Sequence, residues 1–403
     1  MNKVVPLAST VDFIRGITFK PDDLIDPNDD DAVVCMRTKN IQSDLDTSDL
    51  IAVPSRFVRR EELFLRPSDM LISSANSWNL VGKTVCVGEL NYPATAGGFI
   101  SIVRPRSNVI DARYLYRWIT YPQIQNAIRN CGRQTTNISN LSVERFLDLG
   151  IPLPKLDEQR RVAAILDKAD AIRRRRQALL KDSDELIRSA FLQLLEGLPD
   201  ERVSIEELLP ATPNAIRTGP FGSQLLHSEF TETGIPVLGI DNVVTNRFRW
   251  AERRYVSAQK YQELRRYRVF PGDVMVTIMG TTGRVCIAPH DLPECISTKH
   301  LCTISPDRER LLPEFLWASL LWDPVVRAQA AREGKGAIME GWNMGIVRGL
   351  LIKLATIGQQ QDFAAFVRKA ELLRIKYVTA ELQANELFSS LAHRAFNGQL
   401  QGQ

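Results

Sequence analysis

The stretch 157–196 contains no proline or glycine, and its apolar residues recur at three- and four-residue steps. Val162, Ile165, Leu166, Ala169, Ile172, Leu179, Leu180, Leu186, Ile187, Ala190 and Leu194 form a stripe down one side of a helix rather than a wholly buried rod. Pro152 and Pro154 stop whatever precedes it, Asp157 is placed to cap the first turn, and Gly197 with Pro199 ends it. About 40 helical residues would reach about 60 Å, far beyond an ordinary domain helix. Such a stripe needs a partner, and the chain supplies one near its other end. Phe363, Phe366, Val367, Ala370, Leu373, Tyr377, Ala380, Leu387 and Leu391 repeat the pattern at an offset of 201 positions.

What lies between the helices repeats as well. Leu65-Arg-Pro-Ser-Asp-Met-Leu-Ile72 matches Val269-Phe-Pro-Gly-Asp-Val-Met-Val276, and Asn40-Ile41 matches Asn242-Val243. Gly82-Lys-Thr-Val-Cys86 is echoed by Gly283-Arg-Val-Cys286 with one residue deleted, and the 97–105 stretch by 297–306 with one residue added. Short β-branched runs at 32–36, 70–73, 84–87 and 99–103 predict strands, and 112–129 predicts a helix. The acidic stretch 22–31 predicts a solvated loop.

The chain therefore divides into a mixed α/β domain (1–156), a long helix (157–200), a second copy of the domain (201–357) and a second long helix (358–403). A duplicated unit with a self-complementary helix packs about a pseudo-twofold axis, as a homodimer would. The helix-pair seam is expected at Val162, Ile165, Ala169, Ile172, Arg176, Leu179 and Leu186, facing Phe363, Phe366, Ala370, Leu373, Tyr377 and Leu387. In an antiparallel pair, Arg176 meets its repeat equivalent Tyr377, a cation–π contact of about 0.5–2 kcal/mol.

A 403-residue chain with 44% hydrophobic residues builds real cores and is not disordered. The net charge of +4 permits nucleic acid without announcing it. Six cysteines with no CxxC pair, and no apolar N-terminal segment, point to reduced thiols in a cytoplasmic protein. No apolar run is long enough to span a membrane. The Arg173-Arg-Arg-Arg176 run fans across most of a helix circumference, so it offers no single phosphate-binding face.

Signatures of catalysis are missing. Gly82-Lys-Thr84 lacks the glycine that opens a phosphate loop, and its repeat reads Gly283-Arg-Val. Glu333-Gly-Lys335 with Asp323 upstream is a thin hint of a metal nuclease, explained equally by a charged helix end. His300 near Cys295 and Cys302 lacks zinc-site spacing, which favours core cysteines. There is no dinucleotide or S-adenosylmethionine fingerprint, and no Asn-Pro-Pro-Tyr or Asp-Pro-Pro-Tyr motif of an amino-methyltransferase.

The repeated domains carry polar, glycine-punctuated loops instead. Planar side chains read base edges bidentately, and Gly and Ser let a backbone approach phosphate. The DNA-contact candidates in the first domain are Arg37, Lys39, Asn40, Asn76, Ser77, Lys83, Arg133, Gln134 and Thr135. In the second they are Arg217, Thr218, Gln224, Asn242, Thr281, Thr282, Arg284, Lys299 and Lys335. Catalytic and metal-binding residues are expected to be none.

Thr135-Thr-Asn-Ile-Ser-Asn140, followed by Ile151-Pro-Leu-Pro-Lys-Leu-Asp-Glu-Gln159 leading into the long helix, resembles the junction in specificity subunits of type I restriction-modification systems. Pro271-Gly-Asp273, Thr379-Ala-Glu-Leu382 and His393-Arg-Ala-Phe-Asn-Gly-Gln-Leu400 are similar to that family too. The resemblance covers essentially the whole chain. It implies a non-catalytic subunit with two α/β target-recognition domains, each binding half of a split double-stranded DNA sequence in the major groove. They are separated by two long antiparallel helices, a coiled-coil spacer that docks two adenine-N6 methyltransferase subunits. A motor and endonuclease subunit adds cleavage of unmodified DNA. S-adenosylmethionine, ATP and magnesium are expected on those partners, with no cofactor bound by this chain. The helices would act as a ruler, so a four-residue insertion or deletion in the pair should change the unread spacer and leave both half-sites alone.

The second copy departs from the pattern, with Ala355-Thr-Ile-Gly-Gln-Gln360 replacing the proline-rich junction and no Thr-Asn-Ile-Ser signature in its 334–343 loop. Two alternatives stand beside this reading. One is a recognition or scaffold subunit of another phage-defence or DNA-modification complex; the other is a coiled-coil scaffold that binds no DNA.

Overall fold

The computed structural model describes residues 3–134, 138–334, 341–397 and 399. The chain forms two units, residues 1–177 with 380–403, and residues 178–379.

In the first unit, the strands Val11–Arg15, Ile100–Pro105, Met70–Ser73 and Thr84–Cys86 lie in that order in an antiparallel sheet. A second sheet places Ala32–Met36 between Ala52–Pro54, antiparallel, and Ala94–Ala96, parallel. Ala32–Met36 is buried at every position, which is why it is a continuous apolar run with no alternation. The expected helix over 112–129 is two helices, Ala112–Ile119 and Pro122–Asn130. Pro122 cannot supply the interior N–H, so it opens a new first turn. Tyr114, Trp118, Phe146, Leu166 and Phe396 share one core. Burial of each such side chain stabilises by about 1.5–3 kcal/mol.

The second unit repeats the topology of these two sheets. Its four-stranded sheet runs Ile216–Thr218, Leu301–Ile304, Val274–Thr277 and Val285–Ile287, and its three-stranded sheet runs Arg254–Val256, Ile235–Leu238 and Ile296–Ser297. The register corrects the alignment drawn from sequence. Met70 lies opposite Cys86 and Val103, whereas Val274 lies opposite Ile287 and Ile304. Val85 therefore corresponds to Cys286: no residue is deleted within the Gly82–Cys86 match and none is inserted before Pro306, and the shortening lies instead between the Met70–Ser73 strand and Gly82. A one-residue slip would have turned every side chain of these strands to the other face.

The long helices are Leu156–Glu196, of 41 residues, and Ile357–Phe396, of 40. The first starts one residue before Asp157, so Asp157 lies inside the first turn, against the positive end of the helix dipole, and does not cap it. In the first unit the opening half of one helix runs antiparallel to the closing half of the other, with Arg173 5.0 Å from the Phe388 ring. In the second unit Phe191 packs against Phe363 with ring centroids 5.7 Å apart.

The seam is narrower than the sequence stripe. Val162, Ala169, Phe363 and Ala370 are buried in it, and Ile165, Leu179 and Phe366 are half-buried. Ile172, Leu186, Leu373 and Leu387 are each about half exposed (48%, 57%, 49% and 50%) and do not belong to it. Ile172 and Leu186 each sit one position, about 100° of helix, away from Arg173 and Ile187, which do face inward. Arg176 belongs to the first unit and Tyr377 to the second.

Both junctions into the helices use one device. The buried Gln159 accepts from the Asp111 N–H at 2.8 Å and donates to the Val109 and Pro154 carbonyls at 3.2 and 2.9 Å. The buried Gln360 accepts from the Leu312 N–H at 2.8 Å and donates to the Arg310 and Ala355 carbonyls at 3.0 and 2.9 Å. Loss of the prolines in the second copy thus leaves the junction intact.

Candidate functional site

In each domain the buried middle strand of the three-stranded sheet ends in a 3-10 turn, Thr38–Asn40 or Ile240–Asn242. Asn40 accepts from the Arg37 N–H at 2.7 Å and donates to the carbonyls of Asp46 and Asp49. Asn242 accepts from the Gly239 N–H at 2.8 Å and donates to the Arg249 carbonyl at 2.9 Å. Both are buried with donor and acceptor engaged, so they hold the turn and do not read bases, contrary to the sequence expectation.

Arg217 is corrected too. It is buried, ion-paired to Asp273, and donates to the carbonyls of Arg268 and Asn214 and to the Ser305 hydroxyl. Asp69, the repeat equivalent of Asp273, holds Arg104 bidentately at 2.8 and 2.7 Å. The buried acid is kept in both copies, while the guanidinium arrives from different strands.

The turns present other side chains outward. Lys39 pairs with Asp49, which also holds Arg37 at 3.3 Å. Lys83 donates to Gln42 at 2.9 Å, and Gln42 donates to the Lys39 carbonyl at 2.7 Å, so these three adjoin. In the second domain Asp241 meets Arg254 at 3.3 Å across a cleft of about 580 Å³ whose walls include Phe230, Ile240, Thr298 and His300. Burial, and then the charges of Lys299 and Arg254, hold the His300 imidazole below its usual range.

Asn76 accepts from the Ser77 N–H and donates to Ser73, while Ser77 itself is exposed. Gln224 accepts from the Tyr267 hydroxyl at 2.7 Å. Thr281, Arg284 and Lys299 are exposed, and Thr218 and Thr282 half-buried. Arg133 and Gln134 lie on a strand paired with Ser139–Leu141. Thr135 and Lys335 lie outside the described residues. Gln42, Asp241, Arg254 and His300, which are not among the DNA-contact candidates chosen from sequence, lie in or beside the two turns, and Phe99 is exposed.

Two residues of the arginine run, Arg173 and Arg174, are committed to the fold. Asp170, buried at the seam of the first unit, accepts from Arg117 at 2.9 Å, Arg173 at 2.6 Å and Arg174 at 3.0 Å. Arg174 also grips Asp44. Burial alone would raise the Asp170 carboxyl, but the hydrogen bonds and charges of Arg117 and Arg173 outweigh it and hold it below the usual carboxylate range. Asp170 therefore contributes stability above about pH 4 that is lost as pH falls through its lowered folded-state value. Asp170→Asn should cost about 2 kcal/mol at pH 7. The gap to the parent should close in urea unfolding at acid pH, and a gap constant down to pH 2 would contradict this origin.

Asp323, the acid of the nuclease hint, is buried, paired to Arg202 at 2.8 Å, and accepts from the Val325 N–H at the start of the helix Pro324–Gly334. It is a helix cap. Among the described residues no cluster of three or more His, Cys, Asp or Glu could hold a metal ion, and no helix is long and apolar enough to cross a membrane. All six cysteines are unpaired, and burial pushes the thiols of Cys35, Cys295 and Cys302 up to about 12.

The duplicated α/β domain thus keeps its buried turn and varies what the turn presents, in a chain with two long helices. Residues 33–181 match the type I restriction modification DNA specificity domain. The chain is 24% identical over 293 residues, 68% of its length, to the type I restriction enzyme EcoKI specificity subunit of Escherichia coli K12. It is 30% identical over 164 residues, 40% of its length, to the StySPI specificity subunit of Salmonella potsdam. The matches span 60% and 35% of those relatives. The fold resembles the crystal structure of the type I restriction-modification S subunit from M. genitalium, with a TM-score of 0.59, 12% identity, and coverage of 98% of this chain and 96% of that one. All of these likenesses are to specificity subunits, or their DNA specificity domain, of type I restriction-modification systems.

Proposed function

We propose that this chain is the non-catalytic DNA-recognition subunit of a type I restriction-modification complex. Each α/β domain binds one half of a bipartite double-stranded target and directs adenine-N6 methylation, and cleavage, by partner subunits. The observation that carries this reading is the pair of equivalent turns at 38–42 and 240–244, which share a buried frame and differ in their outward side chains. Recognising two unlike half-sites with one scaffold requires that arrangement. S-adenosylmethionine, ATP and magnesium belong to the partners, two methyltransferase copies and a motor-endonuclease subunit. Leu372 and Ile375 in the second unit and Leu382 and Leu387 in the first are exposed apolar positions on the second long helix, which supports docking of partner helices.

The test is to co-express the chain with its methyltransferase and map adenine methylation across a genome. A two-part motif with a fixed unread gap is expected. An assembled complex supplied with S-adenosylmethionine that methylates nothing would favour a scaffold. Salt separates the readings independently, because six to ten phosphate contacts cost about 10³–10⁵ in affinity between about 50 and 200 mM salt, whereas a scaffold has no such affinity to lose.

A further inference from the structure

The two copies can be superposed through their pairing registers. Met36 lies beside Ala96 in the first domain, as Leu238 lies beside Ser297 in the second. Ser73 lies opposite Ile100, as Thr277 lies opposite Leu301. Lys39 then corresponds to Asp241, Gln42 to Val244, Phe99 to His300 and Lys83 to Arg284. The frame around these positions is constant. Asn40 and Asn242 make the same turn-holding bond, and Gly82 and Gly283 take the same left-handed φ of 81° and 78° just before the shared basic residue.

The presented side chains divide into two classes. Lys83 and Arg284 are basic in both copies. At the other three positions the copies differ in kind: a cation becomes an anion, an amide becomes an aliphatic group, and an exposed phenyl ring becomes an imidazole. The charge partners reverse with them, since Lys39 is paired by Asp49 and Asp241 by Arg254. A side chain kept in both copies suits what every DNA half-site shares, its phosphates; one that changes suits what half-sites do not share, their base edges.

Resting on the DNA-reading role above, we propose that Lys39, Gln42 and Phe99 select the first half-site, and Asp241, Val244 and His300 the second, while Lys83 and Arg284 bind phosphate. Lys39 has three N–H donors, so it can keep Asp49 and still donate to guanine O6 and N7. The bonds of Asp241 to Arg254 are long, at 3.4 and 3.3 Å, which leaves its oxygens able to accept from the exocyclic amine of cytosine or adenine. The first half-site should therefore contain a guanine read by Lys39, and the second a cytosine or adenine read by Asp241.

The experiment is methylation mapping, with DNA-binding selection at several salt concentrations, on the assembled complex carrying Lys39→Gln, Asp241→Asn or Arg284→Gln. Lys39→Gln should relax one base pair of the first half-site by roughly tenfold or more and leave the second unchanged; Asp241→Asn should do the converse. Arg284→Gln should weaken all sequences about equally and reduce the salt slope by about one. Unchanged half-sites in folded Lys39 and Asp241 variants, or base relaxation by Arg284→Gln, would overturn the assignment while leaving the DNA-recognition role standing. A parent complex without a two-part preference would overturn both.

Discussion

Asp273→Ala is expected to destabilise the second domain by about 3–5 kcal/mol, the cost of stranding a buried guanidinium. Arg217 and Asp273 are both almost fully buried, at 5% and 3% exposure. Burial pushes the Asp273 carboxyl upward, against the Arg217 charge and the hydrogen bonds from Ser305 and the Phe270 N–H. Without the acid, Arg217 keeps only neutral acceptors, and the Phe270 N–H loses its 2.7 Å partner at the turn before the central strand. Replacing both charges, as Arg217→Met with Asp273→Leu, should recover much of the loss, because no uncompensated charge stays buried. Amide hydrogen exchange of the Val274–Thr277 strand reports this locally, which suits a chain whose two units need not unfold together. Parent-like protection in Asp273→Ala would show that the pair is dispensable.

Gln159→Leu and Gln360→Leu should each cost about 3 kcal/mol. Each removes one acceptor and two donated bonds, leaving a buried N–H and two carbonyls unsatisfied at the root of a long helix, where orphaned groups cost about 1–3 kcal/mol each. The two glutamines share no partner and lie in different units, so in the double variant each unit should show the loss of its own single variant. Denaturant unfolding of the single and double variants checks this. A loss below about 1 kcal/mol in either single variant would mean that water replaces the amide.

The glutamine pair also explains the junction motif. In Leu153-Pro-Lys-Leu-Asp-Glu-Gln159 the glutamine can be seen in sequence, but its three partners are up to 50 residues away and cannot. The same limit explains the errors at Asn40, Asn242 and Arg217. A polar residue in a loop-like stretch has two uses, to present itself or to close the turn, and local composition does not distinguish them. At the turns the copy-to-copy comparison does, because the turn-holding Asn40 and Asn242 recur while the presented Lys39 and Asp241 diverge. Arg217 escapes even that comparison, since the equivalent acid Asp69 takes its guanidinium from Arg104 on another strand.

By itself the sequence determined the two long helices and the duplicated α/β domain, because each is written in short-range periodicity or in a repeat of contiguous residues. The tertiary structure alone decided which polar loop residues turn inward, which helix positions leave the seam and how the strands register. Those outcomes depend on which distant backbone group or charge meets each side chain once the sheets pair, and a linear pattern carries no record of it.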